Sequence, residues 1–111
     1  MKLRNYLMEK SKKLYIDDIR IPKSKDFYIV RSSKEAIAYI KKNGCPSYIS
    51  FDHDLGENDT AMIIIKWLVQ TDLDKHGKFI PKDFEFNVHS ANPVGSANIK
   101  GYLNSYFKQK K

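Results

Sequence analysis

The chain has 111 residues, 41% of them apolar and 30% charged. At about 150 residues per domain this is one globular domain with no room for a separate cofactor domain. Its formal charge of +7 sits at the ends: residues 1–13 and 100–111 carry +4 each, and residues 14–99 carry −1. The longest apolar run, residues 61–65, is far short of the ~20 residues of a spanning helix. The start lacks the apolar stretch of a signal peptide. The single cysteine, Cys45, excludes an internal disulfide framework and a multi-cysteine zinc site, so a cytoplasmic protein without membrane contact is expected.

Residues 1–13 read as a basic N-terminal extension, a short helix with Leu3, Tyr6 and Leu7 on one side. Residues 14–20 (LYIDDIR) read as a strand closed by Pro22, since proline cannot donate to a ladder. Residues 27–31 (FYIVR) form a second strand. A punctuated helix follows. Ser32 and Glu35 make a capping box, Ala36, Ile37 and Ile40 share a face, and Gly44 stands at the C-terminal cap.

Residues 48–52 (YISFD) form a third strand that breaks at Gly56. Residues 60–70, capped by Asp59 or Thr60, predict a helix that is apolar on most sides and therefore buried. Residues 71–83, with Gly77 and Pro81, read as a loop. Residues 84–89 alternate, with Phe84, Phe86 and Val88 on one face of a fourth strand. Ile99, Tyr102, Leu103, Tyr106 and Phe107 mark a last amphipathic helix, and residues 108–111 read as a basic tail. The domain proper is thus residues 14–107.

The order β-β-α-β-α-β-α implies an α/β fold with a mostly parallel sheet of about four strands. About six residues join the first two predicted strands, too few for a crossover helix. That leaves two arrangements open, a parallel pair joined by a bare loop and an antiparallel hairpin.

Ligands in open α/β sheets bind beyond the carboxyl ends of the strands. Three predicted strands end in polar clusters: Asp17, Asp18 and Arg20; Asp52, His53 and Asp54; His89, Ser90 and Asn92. Each alone has a plain reading: a solvated turn, a hydrogen-bonded structural histidine, a turn-starting Asn-Pro. Together, on parallel strands, they meet at one edge. Crowded carboxylates repel unless a cation or a proton relieves them, and oxygen-rich sites suit Mg²⁺ or Mn²⁺. Asp17, Asp18, Asp52 and Asp54 are candidate ligands. Alternation turns Asp52 and Asp54 to one side if the strand persists. His53 and His89 are candidates for proton transfer. Arg20, Ser90, Asn92 and the N–H groups before the last helix are candidates for holding a phosphate. Zinc competes weakly, because no histidine pair has a local zinc spacing.

The segments LYIDDIRIP (14–22), SFDHDLG (50–56) and VHSANPVGSANI (88–99) together resemble the cyclic-phosphate processing receiver-like domain (cREC). The resemblance covers residues 14 to about 107. It implies a receiver-like three-layer α/β sandwich. Receivers carry an acidic pair after the first strand, a phospho-accepting Asp after the third and a hydroxyl residue after the fourth. Asp17 and Asp18, the pair Asp52 and Asp54, and Ser90 are similar to that pattern. This chain departs from receivers in lacking the first crossover helix, the fifth strand and the lysine on it, which argues against a plain phospho-relay switch.

The resemblance implies a phosphoesterase acting on a cyclic phosphate, such as a 2′,3′-cyclic nucleotide or RNA end, or on a related nucleotide phosphoester. Asp17, Asp18 and Asp54 would hold Mg²⁺ or Mn²⁺. Asp52 would complete the ligand set or act as base, His53 and His89 would be the acid–base pair, and Arg20, Ser90 and Asn92 would hold substrate. The alternatives are a non-catalytic sensor of a nucleotide or phosphorylated ligand and an atypical phospho-accepting receiver. The expected partner is a nucleotide or RNA with a phosphate end. The basic ends favour contact with a polyanion or serve solubility alone.

Overall fold

Four short strands alternate with three helices in the structure, a computed structural model that describes residues 13–110. The elements are β1 (Lys13–Ile16), β2 (Phe27–Val30), α1 (Ser33–Asn43), β3 (Tyr48–Phe51), α2 (Ala61–Asp74), β4 (Glu85–Val88) and α3 (Pro93–Lys110). The strands form one sheet in the order β2-β1-β3-β4, and every pairing is parallel. This is the receiver-like α/β fold expected from the sequence. The predicted helix at the N-terminus lies outside the described residues. Among the described residues, no helix is long and apolar enough to cross a membrane.

The direction of β2, open from sequence, is parallel to β1, with Ile16 opposite Val30. β1 stops at Ile16, short of the predicted strand over 14–20. The cause is Asp17, whose Oδ1 accepts the N–H groups of Ile19 at 2.9 Å and Arg20 at 2.8 Å. That is an Asx-type turn, which competes with the ladder. The connection therefore spans residues 17–26. Ten extended residues reach about 33 Å, enough to return to the start of a parallel neighbour without a helix. Arg31 Nη1 pins the loop by donating to the carbonyls of Asp17 at 3.0 Å and Arg20 at 2.7 Å.

The crossovers through α1 and α2 run the same way across the sheet, and right-handed connections place both helices on one face. α3 joins them: Ile99 and Leu103 share one buried cluster with Ile40 of α1, Ile64 and Leu68 of α2, and Leu14, Ile16, Val30, Ile49 and Phe51 of the sheet. Of the three layers that the resemblance implies, the described residues hold two, the sheet and this helical layer. The opposite face carries Tyr15, Phe27 and Tyr48, with Lys13 Nζ over the latter two rings.

Ser32 caps α1 by accepting from the Glu35 N–H at 3.1 Å. The return bond expected of the capping box goes to the N–H of Arg31 at 2.7 Å rather than to that of Ser32. α2 runs through Asp74, so its last turn occupies the start of the predicted loop over 71–83. Asp72 explains this. It is fully buried and accepts N–H bonds from Phe79 at 2.8 Å and Ile80 at 2.7 Å. Tyr106 Oη donates to it at 2.6 Å, and Lys110 Nζ lies 2.8 Å away. The same contact corrects the reading of residues 108–111 as a tail: α3 extends to Lys110, which is anchored to α2. Lys13 likewise belongs to β1, and its ammonium pairs with Asp26 at 3.4 Å.

Candidate functional site

The strand registers assemble the site. Ile16 lies beside Val30 and Phe51, and Phe51 lies beside Val88. The next row across the sheet is therefore Arg31, Asp17, Asp52 and His89. The ladder continues into it: the N–H of Asp17 donates to Val30 O, that of Asp52 to Ile16 O and that of His89 to Phe51 O. Four residues far apart in sequence become immediate neighbours at the carboxyl edge.

One carboxylate oxygen from each of Asp17, Asp18 and Asp52 lies within 4.8 Å of the others. They open into a cavity of 300 Å³ lined by Asp17, Asp18, Ile19, Arg20, Asp52, Asp54, Ser90, Ala91 and Asn92. A larger hollow of 700 Å³ between β2 and α1 is lined by residues such as Tyr28, Tyr39 and Lys42, with Glu35 as its one carboxylate.

The two buried acids are pushed in opposite directions. Burial alone would raise Asp17. The N–H groups of Arg20 and Ile19 and the His89 ring outweigh it, holding the carboxyl below its ordinary range. Asp52 is raised, first by burial and then by the charge of Asp17, against a hydrogen bond from Ser90. Asp52 thus carries the unrelieved repulsion of the group. Three hard oxygen donors, one of them frustrated, fit a divalent cation of the Mg²⁺ or Mn²⁺ kind.

Asp54 lies outside this trio. The alternation that would align it with Asp52 fails because β3 ends at Phe51, and Asp54 forms an isolated antiparallel bridge with Thr60. Its side chain, 60% exposed, is held by His53 Nδ1 at 3.0 Å and Asn92 Nδ2 at 3.1 Å. Those two bonds keep its carboxyl low.

Neither histidine lines the cavity. The His53 ring lies against Gly95 of α3: a Cβ built there would fall 2.4 Å from His53 Cγ. His89 sits beneath Asp17, with Nε2 3.0 Å from Asp17 Oδ2 and Nδ1 2.7 Å from Ser50 Oγ. Arg20 does reach the mouth. Its guanidinium, half exposed, donates to His89 O at 2.9 Å and stands 3.8 Å from Asp17 Oδ2.

Ser90 and Asn92 are engaged within the chain. The Ser90 hydroxyl accepts the Asn92 N–H at 3.0 Å and donates to Asp52. Asn92 caps α3, its Oδ1 accepting the Gly95 N–H at 2.9 Å and its carbonyl the Ser96 N–H at 2.9 Å. Pro93 follows at the first helical position, where its missing N–H costs nothing. These N–H groups are therefore not open to an anion.

Sequence reading missed Arg31, Ser50 and Gly95. Arg31 was legible only as the end of a strand, and Ser50 as a polar break in an apolar run. The SFDHDLG segment holds His53 and the VHSANPVGSANI segment holds Gly95, but nothing in them says that the imidazole rests on the glycine.

A family model described as cyclic-phosphate processing receiver domain matches residues 12–105. No curated protein and no solved structure matches the chain.

Proposed function

Because the chain belongs to the cyclic-phosphate processing receiver domain family, we propose that its acidic cavity opens cyclic phosphates, as a phosphoesterase acting on a 2′,3′-cyclic nucleotide, an RNA end or a related nucleotide phosphoester. The observation that carries this reading is the trio Asp17, Asp18 and Asp52, gathered within 4.8 Å at an open cavity whose rim bears Arg20. The trio would hold Mg²⁺ or Mn²⁺, which when bound neutralises charge on phosphoryl oxygens.

The chain's own residues supply the rest. Arg20, half exposed at the mouth with Nη1 on His89 O, takes a phosphoryl oxygen by its outward N–H groups. Asp17 stays ionised because the Ile19 and Arg20 N–H groups and His89 hold it so. Hydrolysis adds one water across a P–O bond of the ring. Asp52, through the carboxylate oxygen not given to the cation, takes the proton that water loses. The departing ribose oxygen takes its proton from solvent through the open mouth. Ser90 orients Asp52 for this step. The basic residues before β1 would attract the polyanionic remainder of an RNA.

One observation favours a binding-only domain: His53 and His89 do not line the cavity, so no imidazole stands ready to transfer protons. Incubation of the purified protein with a 2′,3′-cyclic nucleotide, with and without Mg²⁺ or Mn²⁺, separates the two. Ring opening that depends on the cation and is lost in Asp52→Asn supports the enzyme. Stoichiometric binding with the ring intact supports the sensor. Formation of an aspartyl phosphate from a small phosphodonor would instead identify a phospho-accepting receiver.

A further inference from the structure

His89 has three neighbours that leave its ring no freedom. Nε2 lies 3.0 Å from Asp17 Oδ2, and Nδ1 lies 2.7 Å from Ser50 Oγ. The Tyr15 ring stacks on it at 4.4 Å with planes only 4° apart. Ser50 is buried in β3. Asn87 Nδ2, which can only donate, approaches the same Ser50 oxygen at 3.4 Å.

The proton positions follow from donor and acceptor counting. An ionised Asp17 only accepts, so the facing Nε2 carries a hydrogen. Ser50 Oγ receives the Asn87 hydrogen, so its own hydrogen is free to point at Nδ1, which then accepts. Both ring nitrogens are committed.

We propose that Ser50, on the sheet face turned away from the helices, fixes the His89 ring in the tautomer that donates from Nε2, and that this pair is a positioning device which aims Asp17 Oδ2 into the acidic trio. His89 then holds a ligand-bearing carboxylate instead of shuttling protons. Outer partners of this kind typically change metal affinity 10–100-fold when removed. The consequence for cation affinity rests on the cation reading of the site; the tautomer does not.

The test uses the full-length chain labelled with ¹⁵N. Long-range ¹H–¹⁵N spectra of the metal-free protein at neutral pH should show His89 carrying a hydrogen on Nε2. A ring protonated at Nδ1 alone overturns the proposal. This wild-type spectrum needs no variant, so the proposal stays exposed even if a substitution prevents folding. In Ser50→Ala the single Nε2–H signature should give way to a mixture of tautomers, and Mn²⁺ binding should weaken about tenfold. Ser50→Thr, which keeps the hydroxyl, should restore both. An unchanged tautomer or an unchanged Mn²⁺ affinity in Ser50→Ala overturns the proposal. If the wild-type protein binds no Mn²⁺, the cation reading fails and the tautomer measurements alone decide the role of Ser50.

Discussion

Gly95 shows how much one missing side chain can matter at this site. It lies in the third position of α3, where alanine would ordinarily favour the helix by up to ~1 kcal/mol. Here a Cβ would sit 2.4 Å from His53 Cγ and 2.7 Å from two further ring atoms. The ring cannot give freely, because its Nδ1 is bonded to Asp54 and Asp54 is bonded to Asn92, the cap of the same helix. Overpacking of this kind costs roughly 1–3 kcal/mol, so the clash should outweigh the propensity gain. Gly95→Ala is expected to lower the midpoint of chemical denaturation, and a raised or unchanged midpoint would show that His53 swings aside at no cost. At this scale the sequence was a good guide to which residues gather and a poor one to what they do. Asp17, Asp18, Asp52, Arg20 and Ser90 follow from strand ends on parallel strands. The bonds that turn Ser90 and Asn92 inward depend on loop geometry that no periodicity encodes.

Among the elements, α2 runs about one turn past its expected end, and Asp72 is the reason. A buried carboxylate is costly unless its lone pairs are filled. Asp72 is wholly buried and meets that demand with two N–H groups, a phenol and an ammonium. Burial would raise it, but Lys110, Tyr106 and the two N–H groups pull it down to about 2. The unfolded value is near 3.8. The group therefore stabilises the fold fully above about pH 4 and loses that contribution as pH falls towards 2, a swing of about 2 kcal/mol.

Asp72→Ala should cost more, about 3 kcal/mol, because it strands Lys110 and Tyr106 as well. It should also flatten the acid limb of a plot of unfolding free energy against pH. An acid limb as steep as that of the wild-type protein would place the acid sensitivity elsewhere. The polar run TDLD over 71–74 looks like a loop because its one buried member is an aspartate. Only partners from 79, 80, 106 and 110, distant in sequence, make burial tolerable. The termination of β1 has the opposite character: Asp17 stops the strand through its own neighbours, a local effect hidden by the β-forming Ile19 beyond it.

For the molecule as a whole, the parallel return of β2 without a crossover helix places all three described helices on one side of the sheet and leaves the acidic edge open. The order of elements and the parallel sheet were legible because each helix carries its own stripe and stop signals. The direction of β2 was not, because loop length alone permits both arrangements. The structure also redistributes the charge. Lys13 is tied to Asp26 and Lys110 to Asp72, so the long-range attraction proposed for RNA rests on residues 1–12 together with Lys100, Lys108 and Lys111. A chain lacking residues 1–12 should bind single-stranded RNA more weakly, with a shallower fall in affinity as salt rises. An identical slope would remove these residues from the account.

The claim on which the rest stands is that Asp17, Asp18 and Asp52, and not Asp54, form one cation site. Calorimetric titration of the protein with Mn²⁺ tests it most directly. The account predicts one cation per chain, binding lost in Asp17→Asn and Asp52→Asn, and binding retained in Asp54→Asn. An absence of binding in the wild-type protein, or binding that survives Asp52→Asn and disappears in Asp54→Asn, would contradict it.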